Sequence, residues 1–391
     1  MRRIVESGQV VTIDLATATD ARVRATTFQV HHEEGGGRVR TSSVQPPTSW
    51  DIPLPLRPGK TVPVPDVAPI IAFAEAISMP SSLHYTRVLA ERAVLDPLGS
   101  WLSRCIDVFA LTGRISLVNG RYISIGWSGF GNGTDRLTSG ADRDRLCFVA
   151  RAVSQAAPIE SAEMPAILAP QAAALIVHEA VGHFAEGSPN PAVDLKHRLG
   201  CRLAGDGFDV FDDPTFEGPA RYSVDDDGIA TFGPTRVLAD GVLVNQLHSR
   251  TTAARAERVP TANARASQVG LPPIPRMSNL IVPPGTYPDE ALVENLWSGL
   301  IVHHLSNGFS TGLDVKARLV LAEEVSHGRR TGRFFSGGLV NERVDVLTRC
   351  LARGHKSELN PNALCGKAGQ ILYDVGTVAP AMHLSTLRIG A

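Results

Sequence analysis

Between Ala174 and Gly187 the chain reads ALIVHEAVGHFAEG, which sets His178, Glu179, His183 and Glu186 behind a short apolar run. Imidazole nitrogens are good zinc donors, and a carboxylate beside such a donor is placed to move protons in a hydrolysis. The pattern is H-E-x-x-x-H, one residue longer than the H-E-x-x-H of zinc peptidases. On a regular α-helix, residues four apart differ by about 40° and residues five apart by about 140°. His178 and His183 therefore aim at one ion only if the helix carries a π-bulge between them, and the sequence predicts that irregularity. Gly182, with no Cβ, eases it. Glu179 is the candidate general base, and later acid, of a metal-assisted hydrolysis. Glu186 falls one turn past His183, where it can accept a hydrogen bond from a ligand imidazole and orient it. The bland alternative is an apolar helix that carries two histidines by coincidence.

A zinc ion needs a third protein ligand, and the sequence offers His248, His303, His304, Glu323, Glu324 and Cys365. Periodicity does not choose among them.

The elements that must position these residues are legible in part. Residues 21–45 hold two β-prone runs around a glycine-rich turn, which predicts a hairpin. Residues 46–70 are dense in proline and read as an extended linker or surface loop. Helical patterns follow over 70–79 and 83–106, then strands around an Asn119–Gly120 turn, then a strand-to-helix segment over 142–157. Beyond about residue 165, one apolar helix carries the histidine motif. Short β-prone runs punctuated by turns come after it, which predicts antiparallel sheets. The stretch VDDDG at 224–228 lacks the ligand pattern of a calcium loop and reads as a hairpin turn.

With 391 residues, 43% hydrophobic and 20% charged, the chain has ample material for a core in two or three domains. Its net charge of −1 gives no field that would draw it to nucleic acid or to an anionic membrane. No apolar run reaches the roughly 18 residues of a membrane span, and the N-terminus lacks the apolar core of a signal peptide. The five cysteines (Cys105, Cys147, Cys201, Cys350 and Cys365) are too sparse and too few for a disulfide framework. A cytoplasmic, reducing location is expected.

Over residues from about 160 to the end, the sequence resembles the TldD/PmbA family of metallopeptidases, in its TldD-like, metal-bearing branch. The resemblance rests on HEAVGHFAEG, PTANARAS (260–267), PRMSNLIVPPG (275–285) and LCGKAGQ (364–370), in the family's order and spacing. It implies an α+β chain with an α/β N-terminal domain at 1–160, short for the family. A C-terminal domain of twisted antiparallel β-sheets at 161–391 would carry the metal-binding helix. It implies a zinc ion on His178, His183 and Cys365, with Lys367 helping to keep the thiol ionised. Arg265 and Arg276 are candidates for substrate binding. It further implies a TldE/PmbA-like sibling subunit in a heterodimer, or a second copy of the chain, enclosing a chamber that takes unfolded peptides by strand addition. The expected activity is zinc-dependent hydrolysis of amide bonds. A small conjugate from an antibiotic or natural-product pathway, or a binding role without cleavage, are the alternatives. The segment 307–324 departs from the family's usual glycine-rich stretch.

Overall fold

A computed structural model describes residues 2–17, 20–35, 38–43, 68–77, 81–95, 101–116, 122–131, 141–193, 195–268, 271–362 and 364–390. The proline-rich stretch, apart from its last residues, and the Asn119–Gly120 turn lie outside them.

Alternation of side chains builds the first sheet. Its strands are β1 (Arg2–Thr17), β2 (Asp20–Gly35), β3 (Arg38–Ser43), β4 (Ser81–Leu95), β5 (Trp101–Ser116) and β6 (Tyr122–Phe130). Their order is β3-β2-β1-β4-β5-β6, antiparallel throughout. The hairpin expected over 21–45 is the β2–β3 pair. The helix expected over 83–106 is instead β4 and β5. Leu83 and Tyr85 alternate with exposed Ser82 and His84, as a half-buried strand requires, and continuous pairing to β1 and β5 overrides the helix-forming residues between. Helix α1 (Ala68–Ile77) forms where helical periodicity predicts it. Helix α2 (Ala141–Gln155) occupies the segment read as strand then helix. Ile70 of α1 and Leu146, Val149 and Val153 of α2 bury against Tyr85 and Phe109, and the same cluster takes in Val320 and Leu321. This apolar layer joins the first sheet to the rest of the chain.

Among the described residues the second sheet has twelve strands, and it makes the fold mostly β. The ones that position the site are β7 (Ala162–Leu168), β8 (Asn279–Ile281), β9 (Ser298–Thr311), β10 (Asp314–Ser326) and the long β-strand Val375–Gly390. The sheet is mixed, which corrects the expectation of antiparallel pairing alone: β7 runs parallel to β9, and β8 runs parallel to Val375–Gly390. Helix α3 (Pro170–Val177) follows β7 directly, with proline in its first turn, where no amide proton is needed. Ala172, Ala173, Ala174, Ile176 and Val177 are buried, so the helix is covered on nearly every side. Its small residues let it lie close to the sheet.

The VDDDG stretch is a turn, closed by the Val224–Ala230 bridge, with Asp225 accepting the amides of Asp227 and Ile229. Asp226 points the other way. It is fully buried and meets Arg92 of β4 at 2.7 Å and Arg104 of β5 at 3.0 Å, tying the first sheet to the second half of the chain. Among the described residues no helix is long and apolar enough to cross a membrane.

Candidate metal centre

Helix α3 does not continue as an α-helix. From His178 to Gly182 it is a π-helix, and the amide of His183 donates to the carbonyl of His178, five residues back. The expected irregularity is thus present, and it turns both imidazoles to one side, their centroids 4.8 Å apart. Gly182 is the last residue of this π segment. Its backbone is ordinary right-handed helix, at φ −59° and ψ −61°. A Cβ there would lie 2.5 Å from Met277 Sδ and 2.8 Å from Leu280 Cδ1, so glycine is needed for close approach.

Cys365 reaches the histidines on a two-stranded hairpin, Cys365–Lys367 with Gln370–Leu372. Ala368 (φ 49°) and Gly369 (φ 75°) both lie in the left-handed region, as a type I′ turn demands. Sγ lies 3.2 Å from His178 Nε2 and 3.7 Å from His183 Nε2. The three donor atoms fall within 4.8 Å of one another. The other candidate ligands are elsewhere. His248 Nδ1 pairs with Thr252, His303 with Glu323, and Glu324 with Thr331, while His304 is buried apart.

Behind the donors lies a buried polar bracket. Glu186 Oε2 pairs with His183 Nδ1 at 2.9 Å and accepts from Lys367 Nζ at 2.8 Å. Its Oε1 accepts the Met277 amide at 2.9 Å. Lys367 therefore pairs with Glu186, and its charge also lies where it favours a Cys365 thiolate. Burial alone would raise the thiol, but His178 and His183 outweigh it and hold Cys365 well below the usual range. Burial would lower the His183 imidazolium, yet Glu186 and the Cys365 sulfur carry it well above its ordinary value. Burial would raise Glu186, and Lys367, His183 and Arg276 outweigh it.

Arg265 and Arg276 are both buried and neither lines the cleft. Arg276 donates to the carbonyls of Cys365 (2.5 Å) and Gln370 (3.5 Å), and its Nε lies 3.7 Å from Glu186 Oε1. Arg265 holds the Met277 carbonyl and Asp374. Both brace the hairpin that delivers Cys365.

The cleft in front of the donors has a volume of about 410 Å³. Glu179 lines it and accepts no hydrogen bond among the described residues. Three contributors escaped sequence reasoning: Arg198, Gly308 and Gln171. Arg198 and Gly308 line the cleft. Gln171 exchanges two 2.9 Å hydrogen bonds with the backbone of Leu305, as a neighbouring strand would. None of the three has a periodic or spacing signal. One nitrogen–nitrogen–sulfur donor set, deprotonated on binding, suits a borderline-soft cation, and the free carboxylate beside it suits proton transfer.

The profile of the PmbA/TldA metallopeptidase C-terminal domain matches residues 161–391. A metalloprotease of Methanocaldococcus jannaschii is 34% identical over 222 residues, covering 55% of this chain and 48% of that protein. A protein of Haemophilus influenzae named Metalloprotease TldD homolog is 25% identical over 233 residues, covering 58% and 48%. The matches thus span about half the length of these curated relatives. Among solved structures, TldE from Thermococcus kodakarensis superposes with a TM-score of 0.72 at 13% identity, covering 100% of this chain and 96% of that one. A putative modulator of DNA gyrase from Thermotoga maritima superposes with a TM-score of 0.69 at 16% identity, covering 100% and 95%. At such identities the likeness is one of fold.

Proposed function

Because the chain belongs to the TldD/PmbA family, we propose that it hydrolyses amide bonds of peptides with a zinc ion held by His178, His183 and Cys365. The observation that carries this is the meeting of two Nε2 atoms and one Sγ atom beside an unpartnered glutamate. Tetrahedral zinc with ordinary bond lengths sets sulfur and nitrogen about 3.6 Å apart. The two sulfur–nitrogen separations, 3.2 and 3.7 Å, lie near that spacing, and all three separations lie within 4.8 Å. A bound zinc would polarise the scissile carbonyl and acidify the attacking water. Glu179 takes the proton of that water and returns it to the leaving nitrogen. Glu186 fixes the His183 ring through Nδ1 and leaves Nε2 for the cation.

The peptide lies along β9. On one side β9 pairs with β10, and on the other β7 covers only Leu300–Val302 and Gln171 covers Leu305. Past Leu305 that edge is hydrogen-bonded to no strand among the described residues, and Gly308, Phe309 and Ser310 line the cleft there. An added strand needs only backbone hydrogen bonds, which suits unfolded peptides of varied sequence. A TldE-like sibling or a second copy of the chain would close the cleft.

Zinc analysis of the purified chain, with peptide hydrolysis by wild type and Glu179→Gln, tests the reading. Glu179→Gln should keep zinc and lose about 10²–10⁴-fold in rate. A wild-type chain without zinc, or a fully active Glu179→Gln, refutes it. A chain that binds peptide at every metal load and never cuts it would leave a binding subunit instead.

A further inference from the structure

Among the described residues that line the cleft, two side chains carry a fixed positive charge, Lys367 and Arg198. Lys367 is fully engaged. Its three donors have three acceptors, Glu186 Oε2 at 2.8 Å and the carbonyls of Gly187 and Pro275 at 3.3 and 3.2 Å. Arg198 is not. It ends the short turn Lys196–Arg198, half-buried, with its guanidinium over the Phe184 ring at 4.3 Å from the centroid. Nη1 donates to the Phe184 carbonyl at 2.9 Å, and no carboxylate meets the group among the described residues. Burial holds it below the usual arginine value, offset in part by Cys201.

Ring and carbonyl fix this guanidinium one residue beyond His183, in the same cleft as Glu179. It has five N–H donors, and the Phe184 bond uses one of them. A half-buried, oriented fork with spare donors and no anion is a receptor for a carboxylate. The rim adds apolar character, because Val193, Phe309 and Leu364 line the cleft and are 43%, 59% and 53% exposed.

We propose that Arg198 binds a carboxylate of the substrate, so that the cleft selects amides bearing a carboxylate near the scissile bond, with apolar groups beside it. This rests on the amide-hydrolase reading and narrows its substrate class. The carboxylate is either a peptide C-terminus or an acidic side chain.

Binding separates the possibilities without turnover. Zinc-loaded Glu179→Gln chain is titrated calorimetrically with three probes. The first is an N-acetylated apolar pentapeptide with a free C-terminus, the second its C-terminal amide, and the third that amide carrying one internal glutamate. The free acid, the glutamate peptide, or both should bind about 10-fold or more tighter than the plain amide. The probe that gains names the source of the carboxylate. Adding Arg198→Met should abolish the preference while the methionine keeps its stem on Phe184. Arg198→Lys should restore only part of it, since a point charge replaces a fork. If Arg198→Met does not fold, Arg198→Lys alone must weaken the preference. Equal binding of acid and amide, no binding of any probe, or a preference that survives substitution overturns the proposal. Absence of cleavage by wild-type protein would overturn the hydrolase reading and leave the binding preference standing.

Discussion

A Cβ placed on Gly308 would lie 2.6 Å from Oε1 of Glu179 and 3.0 Å from its Cγ. The proposed base therefore rests against the bare backbone of β9, at the point where that strand loses its neighbour. The same Cβ would lie 2.9 Å from Leu175 Cδ2, so Gly308→Ala should displace the carboxylate and press on that leucine, at small cost to the fold because both are side-chain ends that can move where backbone cannot. We expect zinc content within error of wild type, a melting temperature nearly unchanged, and peptide hydrolysis at least about 10-fold slower. Full activity in Gly308→Ala would mean that Glu179 does not work from this position.

The donor and bracket residues should rank in their effect on metal retention. Cys365→Ala removes a donor, and Glu186→Gln removes the group that orients His183. The second should weaken zinc about 10–100-fold. Cys365→Ala should weaken it more, with Cys365→Ser between wild type and alanine. Competition with a chromophoric chelator measures all three. Zinc retained fully by Cys365→Ala would dismiss the sulfur as a ligand.

Asp226 holds two arginines of the first sheet and also accepts the Ala266 amide, one residue beyond Arg265. Removing one partner of a buried ion cluster costs about 3–5 kcal/mol, because the remaining charges stay out of water. Asp226→Ala should lose that much in urea unfolding. Arg221, paired with Glu217 at an exposed site, should lose under about 1 kcal/mol when changed to Ala. Equal losses would show that the Asp226 cluster does not hold the two halves together.

The sequence shows the histidine motif and its π-turn because one local constraint suffices. Two donors five apart on a helix share a target only if the helix gains a residue per turn. It does not show the third donor, which sits 182 residues from His183 and is delivered by a hairpin. Resemblance to a family nominated Cys365 where periodicity left six candidates open. Strands β4 and β5 were hidden for a related reason. Their Leu89–Arg92 stretch favours helix locally, and only pairing with distant β1 makes it a strand. Arg198 stands on an irregular loop whose direction no pattern encodes. Arg265 and Arg276 stand out as residues, but nothing in ANARAS or PRMSN says that their side chains meet the backbone around a hairpin.

His304 gives a pH test that is independent of the metal. Burial, then the positive charges of Arg145 and His303, pushes it down to about 3, and its Nδ1 has no hydrogen-bond partner. An unfolded histidine titrates near 6.5, at about that value in water. The folded pKa is depressed, so between those values the unfolded chain binds the proton and the folded chain does not. Stability is therefore complete above about pH 6.5 and falls as the pH drops toward 3, at up to about 1.4 kcal/mol per pH unit. His304→Leu removes the titrating ring and keeps an apolar group of similar size. Its unfolding free energy should fall less steeply than that of wild type between pH 6.5 and 4.5, by about 1 kcal/mol per unit. Acid-driven loss of metal is common to both proteins and cancels in the difference. Parallel curves for the two proteins would show that His304 is not the group that makes the fold acid-sensitive.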